Sequence, residues 1–146
     1  MRIVIATIAA AIALTATGAH ARDTELKLPV QAIFDNPEFK QKLGDEVTFS
    51  FGEQPLPKNA KSLGEFTTNK KTNAFNKSDE EACRWVMLSA LLQLKERAIE
   101  LGASAVVNIK SYYKKNEFSS SSEYECHAGT MVAGVALKGT LIQTGK

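Results

Sequence analysis

Cysteine and histidine are scarce in this chain of 146 residues, which holds two of each. No C-x-x-C pair occurs, which excludes the usual dithiol exchange motif. His20 falls in an apolar N-terminal segment, so His127 is the one imidazole in the body of the chain. A single histidine without a nucleophile motif excludes a serine–histidine–aspartate arrangement. An excess of one charge is also missing: 18 basic residues stand against 16 acidic ones, a net of +2. That balance excludes a nucleic-acid binder driven by bulk electrostatics. Beyond the N-terminal segment no run of 18 apolar residues occurs, so no internal membrane span is expected. Disorder is excluded too, because 44% of the residues are hydrophobic and only 23% charged. A globular domain remains, and the length suits one.

The first 21 residues read as an export signal. Arg2 supplies the positive start, residues 3–17 (IVIATIAAAIALTAT) are uncharged, and Ala19-His20-Ala21 is a small-x-small cleavage site. Cleavage is expected between Ala21 and Arg22. No cysteine follows the apolar run and no twin arginine precedes it, so neither a lipid anchor nor the folded-protein export route is expected. In a bacterium the mature chain is then periplasmic. Cys83 and Cys126 both lie in that part. In an oxidising compartment two cysteines suggest one disulfide, and closing a loop of this length contributes about 4 kcal/mol. Two separate buried thiols are the alternative, and geometry decides.

Residues 22–45 read as a polar leader with a short helical or extended segment over 30–34, ended by Pro37. Residues 46–146 read as a single domain. Val47, Phe49 and Phe51 alternate with Glu46, Thr48 and Ser50, the period of a half-buried strand. Residues 52–59 contain Pro55 and Pro57 and read as loop. A weaker strand is expected over 63–69, then an exposed polar stretch over 70–77. Residues 79–101 predict a long helix. Ser78 and Glu81 have capping-box spacing, and Cys83, Val86, Met87, Ala90, Leu91, Leu94, Ala98 and Leu101 form one apolar stripe. Gly102 suits the left-handed stop. A strand over residues 104–110, a serine-rich hairpin loop over 116–122, a strand over 123–128 and a long final strand from Met131 follow. Gly134 and Gly139 mark a bulge or a close backbone approach in that last strand. The fold class is α+β: a two-layer sandwich, one long helix on a mostly antiparallel sheet, in the order β-β-α-β-β-β.

The motifs that carry chemistry are few. Residues 139–146 (GTLIQTGK) have five residues between the glycines instead of four, and no Ser or Thr follows Lys146, so no nucleotide site is expected. Cys83, Cys126 and His127 are the candidate metal ligands. Strand alternation opposes them, since it places Cys126 towards the helix with Tyr124, and His127 outward beside Glu125. Lys110, Tyr112, Lys114 and Lys115 read as a solvated face, not a nucleic-acid surface.

Residues 96–113 (ERAIELGASAVVNIKSYY) and 134–142 (GVALKGTLI) resemble the YbjQ-like family of small bacterial domains described as heavy-metal-binding. Leu101, Gly102, Ala103, Ala105, Val106, Val107, Gly139 and Thr140 carry the match. The resemblance implies a helix turning tightly into a sheet, and in some members ring-shaped self-assembly. That family is similar in turn to the signalling domain of the lipoprotein RcsF, which implies a disulfide-bonded domain. This chain lacks the lipidation cysteine and has only two cysteines. The expected function is a non-catalytic, structural or protein-interaction module of the cell envelope, without cofactor, whose partner is another envelope protein or itself. The alternative is a metal-binding protein using Cys83, Cys126 and His127.

Overall fold

A computed structural model describes residues 22–145; the expected signal segment, with Ala21 at its end, and Lys146 lie outside the described residues. The chain runs β1 (Thr24–Pro29), α1 (Gln31–Phe34), α2 (Pro37–Leu43), β2 (Thr48–Phe51), β3 (Ala60–Asn73), α3 (Asp79–Leu101), β4 (Ala105–Ser111), a 3-10 turn (Tyr113–Lys115), β5 (Glu123–Ala128) and β6 (Val132–Thr144). The class is α+β, with one long helix on a curled six-stranded sheet. The expected β-β-α-β-β-β run is present, but a strand and two short helices precede it.

Helix α1 is the short helical turn expected over 30–34, whereas β1 and α2 correct the reading of residues 22–45. In β1, Leu26 and Leu28 pack against the core while Glu25 and Lys27 alternate with them. Pro37 does not end structure there; it opens α2. Asn36 caps that helix, its Oδ1 accepting from the Glu38 and Phe39 amides at 3.0 and 3.2 Å. Proline at a first helical position lacks only a donor that would be orphaned anyway.

Helix α3 is where local sequence and tertiary demand agree. The Ser78 hydroxyl accepts from the Glu81 amide at 3.1 Å, and Gly102 (φ 74°) ends the helix left-handed. Most of the expected stripe is buried, joined by Ala82 and Leu88. Leu101 departs from it, 40% exposed at the last turn. Trp85 packs edge-on against Phe39, ring centres 4.9 Å apart.

Strand β6 is the spine of the sheet. Strand β3 pairs with it antiparallel from Asn73↔Val132 to Ala60↔Thr144. A strand has two edges, so β5 and β4 share the other, β5 at Ala133–Gly134 and β4 at residues 137–142. β1 pairs antiparallel with β5, and β2 pairs parallel with β4. Three expectations change here. β3 is twice as long as predicted, taking in Lys70 to Asn73, because an edge strand tolerates lysines on its open side. β4 and β5 are not hairpin partners. The serine-rich segment between them folds back instead, with Ser111 and Phe118 exchanging two backbone bonds of 2.9 Å. Of the two strand glycines, Gly139 marks a close approach: a Cβ there would meet Val106 Cγ1 at 2.8 Å. Gly134 has ordinary space.

Candidate functional site

Alternation along β5 decides what each side chain meets. Tyr124, Cys126 and Ala128 are buried under α3. Cys126 is bonded there to Cys83 of α3, with Cα atoms 6.0 Å apart. This disulfide ties the second turn of the helix to the sheet inside the core. The two sulfurs are therefore joined to each other on one side of the sheet, and His127 lies on the other. The three candidate metal ligands do not converge.

His127 sits in a polar cluster that no motif in the sequence announces. Its Nε2 lies 2.6 Å from Glu125 Oε1 and its Nδ1 lies 3.0 Å from Asp23 Oδ1. A neutral ring donates from one nitrogen, a charged ring from both. The Tyr113 ring stacks on the imidazole, centres 3.7 Å apart and 10° between planes. Left-handed backbone at Lys114 and Lys115 (φ 51° and 65°) turns the chain tightly just after Tyr113. Glu125 is only 8% exposed. Its second oxygen lies 3.8 Å from Lys27 Nζ, and its amide donates to the buried Ser111 hydroxyl at 2.9 Å. Lys27 also bonds Glu25 and lies over the Phe118 ring, 4.5 Å from its centre. Hydrogen bonding to Glu25 raises the Lys27 ammonium above its ordinary value, and the same contact holds Glu25 below the usual carboxylate range. Glu25, Glu125 and His127 each offer a ligand atom within 4.8 Å of the others.

Beside this cluster opens a cleft of about 660 Å³, lined by Asp23, Lys71, Tyr113, His127, Met131 and Val132 among others. Met131 and Val132 are 58% and 46% exposed at its wall. Lys71 and Lys114 add positive charge. Arg22 also lines the cleft. Its guanidinium holds Asp79 with bonds of 2.8 and 2.9 Å and donates to the Gly129 carbonyl at 2.9 Å. That pairing keeps the Asp79 carboxyl below its ordinary range.

Sequence reasoning misses Asp23, Glu25, Lys27 and Tyr113 as members of the cluster at His127. The signal for the first three is the alternation in residues 23–28 (DTELKL), which marks a strand with charged side chains on one side. Nothing local shows that this strand lies beside β5, a pairing across about a hundred residues.

No helix among the described residues is long and apolar enough to cross a membrane. Comparison with known protein families, curated proteins and solved structures finds no match.

Proposed function

We propose that this chain is an exported, non-catalytic binding module of the bacterial envelope, periplasmic after cleavage between Ala21 and Arg22. We read its fold as a two-layer sandwich of the YbjQ-like kind. One observation carries the binding role: Met131 and Val132 stand exposed in the lining of a cleft that the stacked Tyr113–His127 pair also lines. Large apolar side chains grouped at a concave polar site mark interaction surfaces. With Lys71 and Lys114 beside them, the cleft suits a protein segment that brings an apolar side chain and a carboxylate. The buried disulfide supports an oxidising compartment.

A photo-cross-linker replacing Met131, expressed in the periplasm, tests this. It should give one discrete adduct, to an envelope protein or to a second copy, that is lost in Lys71→Glu/Lys114→Glu. The reading fails if the same adducts form from a cross-linker at Lys61, an exposed residue not among those lining the cleft. The intact mass of the same sample should equal residues 22–146 less two hydrogens.

A second reading rests on Glu25, Glu125 and His127, whose two carboxylates and imidazole suit a borderline divalent ion once Lys27 withdraws. Zinc at a hundredfold excess over its dissociation constant would then stabilise the protein by about 2.7 kcal/mol. An unchanged melting temperature in zinc, or a shift that survives His127→Ala, removes this reading.

A further inference from the structure

Large apolar side chains gather at one end of the sheet, on two turns that the backbone joins. The first turn leads from β3 into α3 and carries Phe75, 53% exposed; the second leads from β5 into β6 and ends in the exposed Met131 and Val132. The Ala74 amide donates to the Met131 carbonyl at 2.9 Å, and Asn73 pairs with Val132 in the ladder. The Phe75 turn is fixed from within. Asn73 Oδ1 accepts from the Phe75 amide at 2.8 Å, the Lys77 amide donates to the Ala74 carbonyl at 3.1 Å, and Asn76 takes left-handed backbone (φ 59°). An aromatic ring held out on a fixed turn leaves apolar surface in water, which is unfavourable until something covers it.

The charge around these turns is positive. Lys71 and Lys114 line the same cleft as Met131 and Val132, and Lys77 Nζ donates to the Asn73 carbonyl at 3.2 Å. None of the three lysines has an ion-pair partner among the described residues. The acids nearest in the chain are engaged or placed elsewhere. Asp23 lies on His127 and Asp79 on Arg22. Glu80 lines a different cavity, with Leu28 and Ala32, and Glu81 is half-buried in the first turn of α3. The chain also enters the folded body at this end: Arg22 donates to the Gly129 carbonyl at 2.9 Å. Residues 18–21, which join it to the apolar stretch 3–17, span at most about 14 Å. While the expected export signal is still attached and in the membrane, this end of the fold is held close to lipid.

We propose that these two turns dock the domain on a membrane surface rich in anionic phospholipid, with Phe75, Met131 and Val132 entering the headgroup boundary and Lys71, Lys77 and Lys114 lying against the phosphates. Apolar side chains flanked by lysines are the chemistry of peripheral membrane binding, and each lysine near an anionic surface contributes about fivefold in affinity. Phe75 and Lys77 do not line the cleft at His127, so this contact goes beyond the one proposed above and does not depend on it. Met131 and Val132 border both surfaces. A domain resting on the membrane in this way presents its cleft to envelope proteins anchored there.

Flotation of the oxidised, signal-free protein with vesicles of phosphatidylcholine containing about one-third phosphatidylglycerol tests the proposal, with pure phosphatidylcholine vesicles as the control. The protein should float with the anionic vesicles, float far less with the neutral ones, and be released by about 1 M salt, which screens the lysines. Phe75→Ser and Lys77→Glu should each weaken binding about tenfold or more, while Phe75→Leu, which keeps the apolar surface, should bind like the parent. Ile99→Ser, at an exposed apolar residue of α3, should leave binding unchanged. All three positions are exposed, so the variants should melt with the parent. Three results overturn the proposal: no flotation with the anionic vesicles, equal flotation with both kinds, or a loss in Ile99→Ser as large as in Phe75→Ser. A photo-cross-linker replacing Phe75 that captures one protein in the periplasm, from a chain that does not float, also overturns it and assigns the turns to a protein partner.

Discussion

Strand β5 carries two chemistries on six residues. Its inner side, Tyr124, Cys126 and Ala128, is held by apolar packing and by a covalent bond to α3. Its outer side, Glu125 and His127, is held by charge and hydrogen bonds to β1, β4 and the segment just before it. The inner side fixes where the helix sits. The outer side assembles a polar surface that has no counterpart in the apolar pattern. Stability and candidate function thus separate by strand face, with a repeat of two residues.

The largest break in that comparison is loss of the inner bond. Cys83→Ala/Cys126→Ala should cost about 4 kcal/mol, the entropy of closing a 43-residue separation. A thermal melt should fall on the order of 10–15 °C. An unchanged melt would show that packing alone docks α3 on β5.

Next comes the apolar packing of α3 itself. Leu94→Ala, at a fully buried position of α3, should cost about 2–5 kcal/mol by urea unfolding, with the m-value unchanged. A cost under about 1 kcal/mol would mean that α3 is loosely held.

The outer side should respond less. His127→Ala removes one partner from the buried Glu125 and leaves it to Lys27, for an expected cost of about 1–3 kcal/mol. Glu125→Gln/His127→Ala together should cost less than the sum of the two single changes, because the charge left unpaired is gone. Additive costs would show that the two side chains do not interact.

The smallest effect is expected at Asp79, whose pairing with Arg22 is partly exposed. The folded carboxyl is held below its unfolded value, so the contribution is complete above about pH 4 and is lost as pH falls through the folded value. Asp79→Asn should therefore melt slightly below the parent at neutral pH and level with it in strong acid. A difference that persists in acid would assign the effect to something other than the charge.

Legibility follows the same division. Helix α3 is readable from Ser78 to Gly102 because cap, apolar repeat and stop are all local signals. Strand alternation likewise assigns Cys126 and His127 to opposite sides from the order of residues 123–128 alone. What stays illegible is of another kind. Pro37 reads as a terminator, yet Asn36 before it makes it a helix start. Lys70 and Lys71 look like loop because their place on an edge strand depends on β6, more than sixty residues away. The expected hairpin between β4 and β5 does not form, because each strand pairs with β6 instead. Setting two strands against one edge of a thirteen-residue spine is a global solution.

What the sequence determined by itself is the set of local preferences: one capped helix, strands of alternating character, and two cysteines on surfaces that could meet. Those follow from dihedral limits, orphan amides and side-chain period, all acting within a few residues. Only the tertiary structure decided which surfaces were placed together. Bringing β1 beside β5 put Asp23, Glu25 and Lys27 around His127 and Glu125. The cluster at His127 joins residues from opposite ends of the chain, and long-range burial of apolar surface, a non-directional force, is what brought them together.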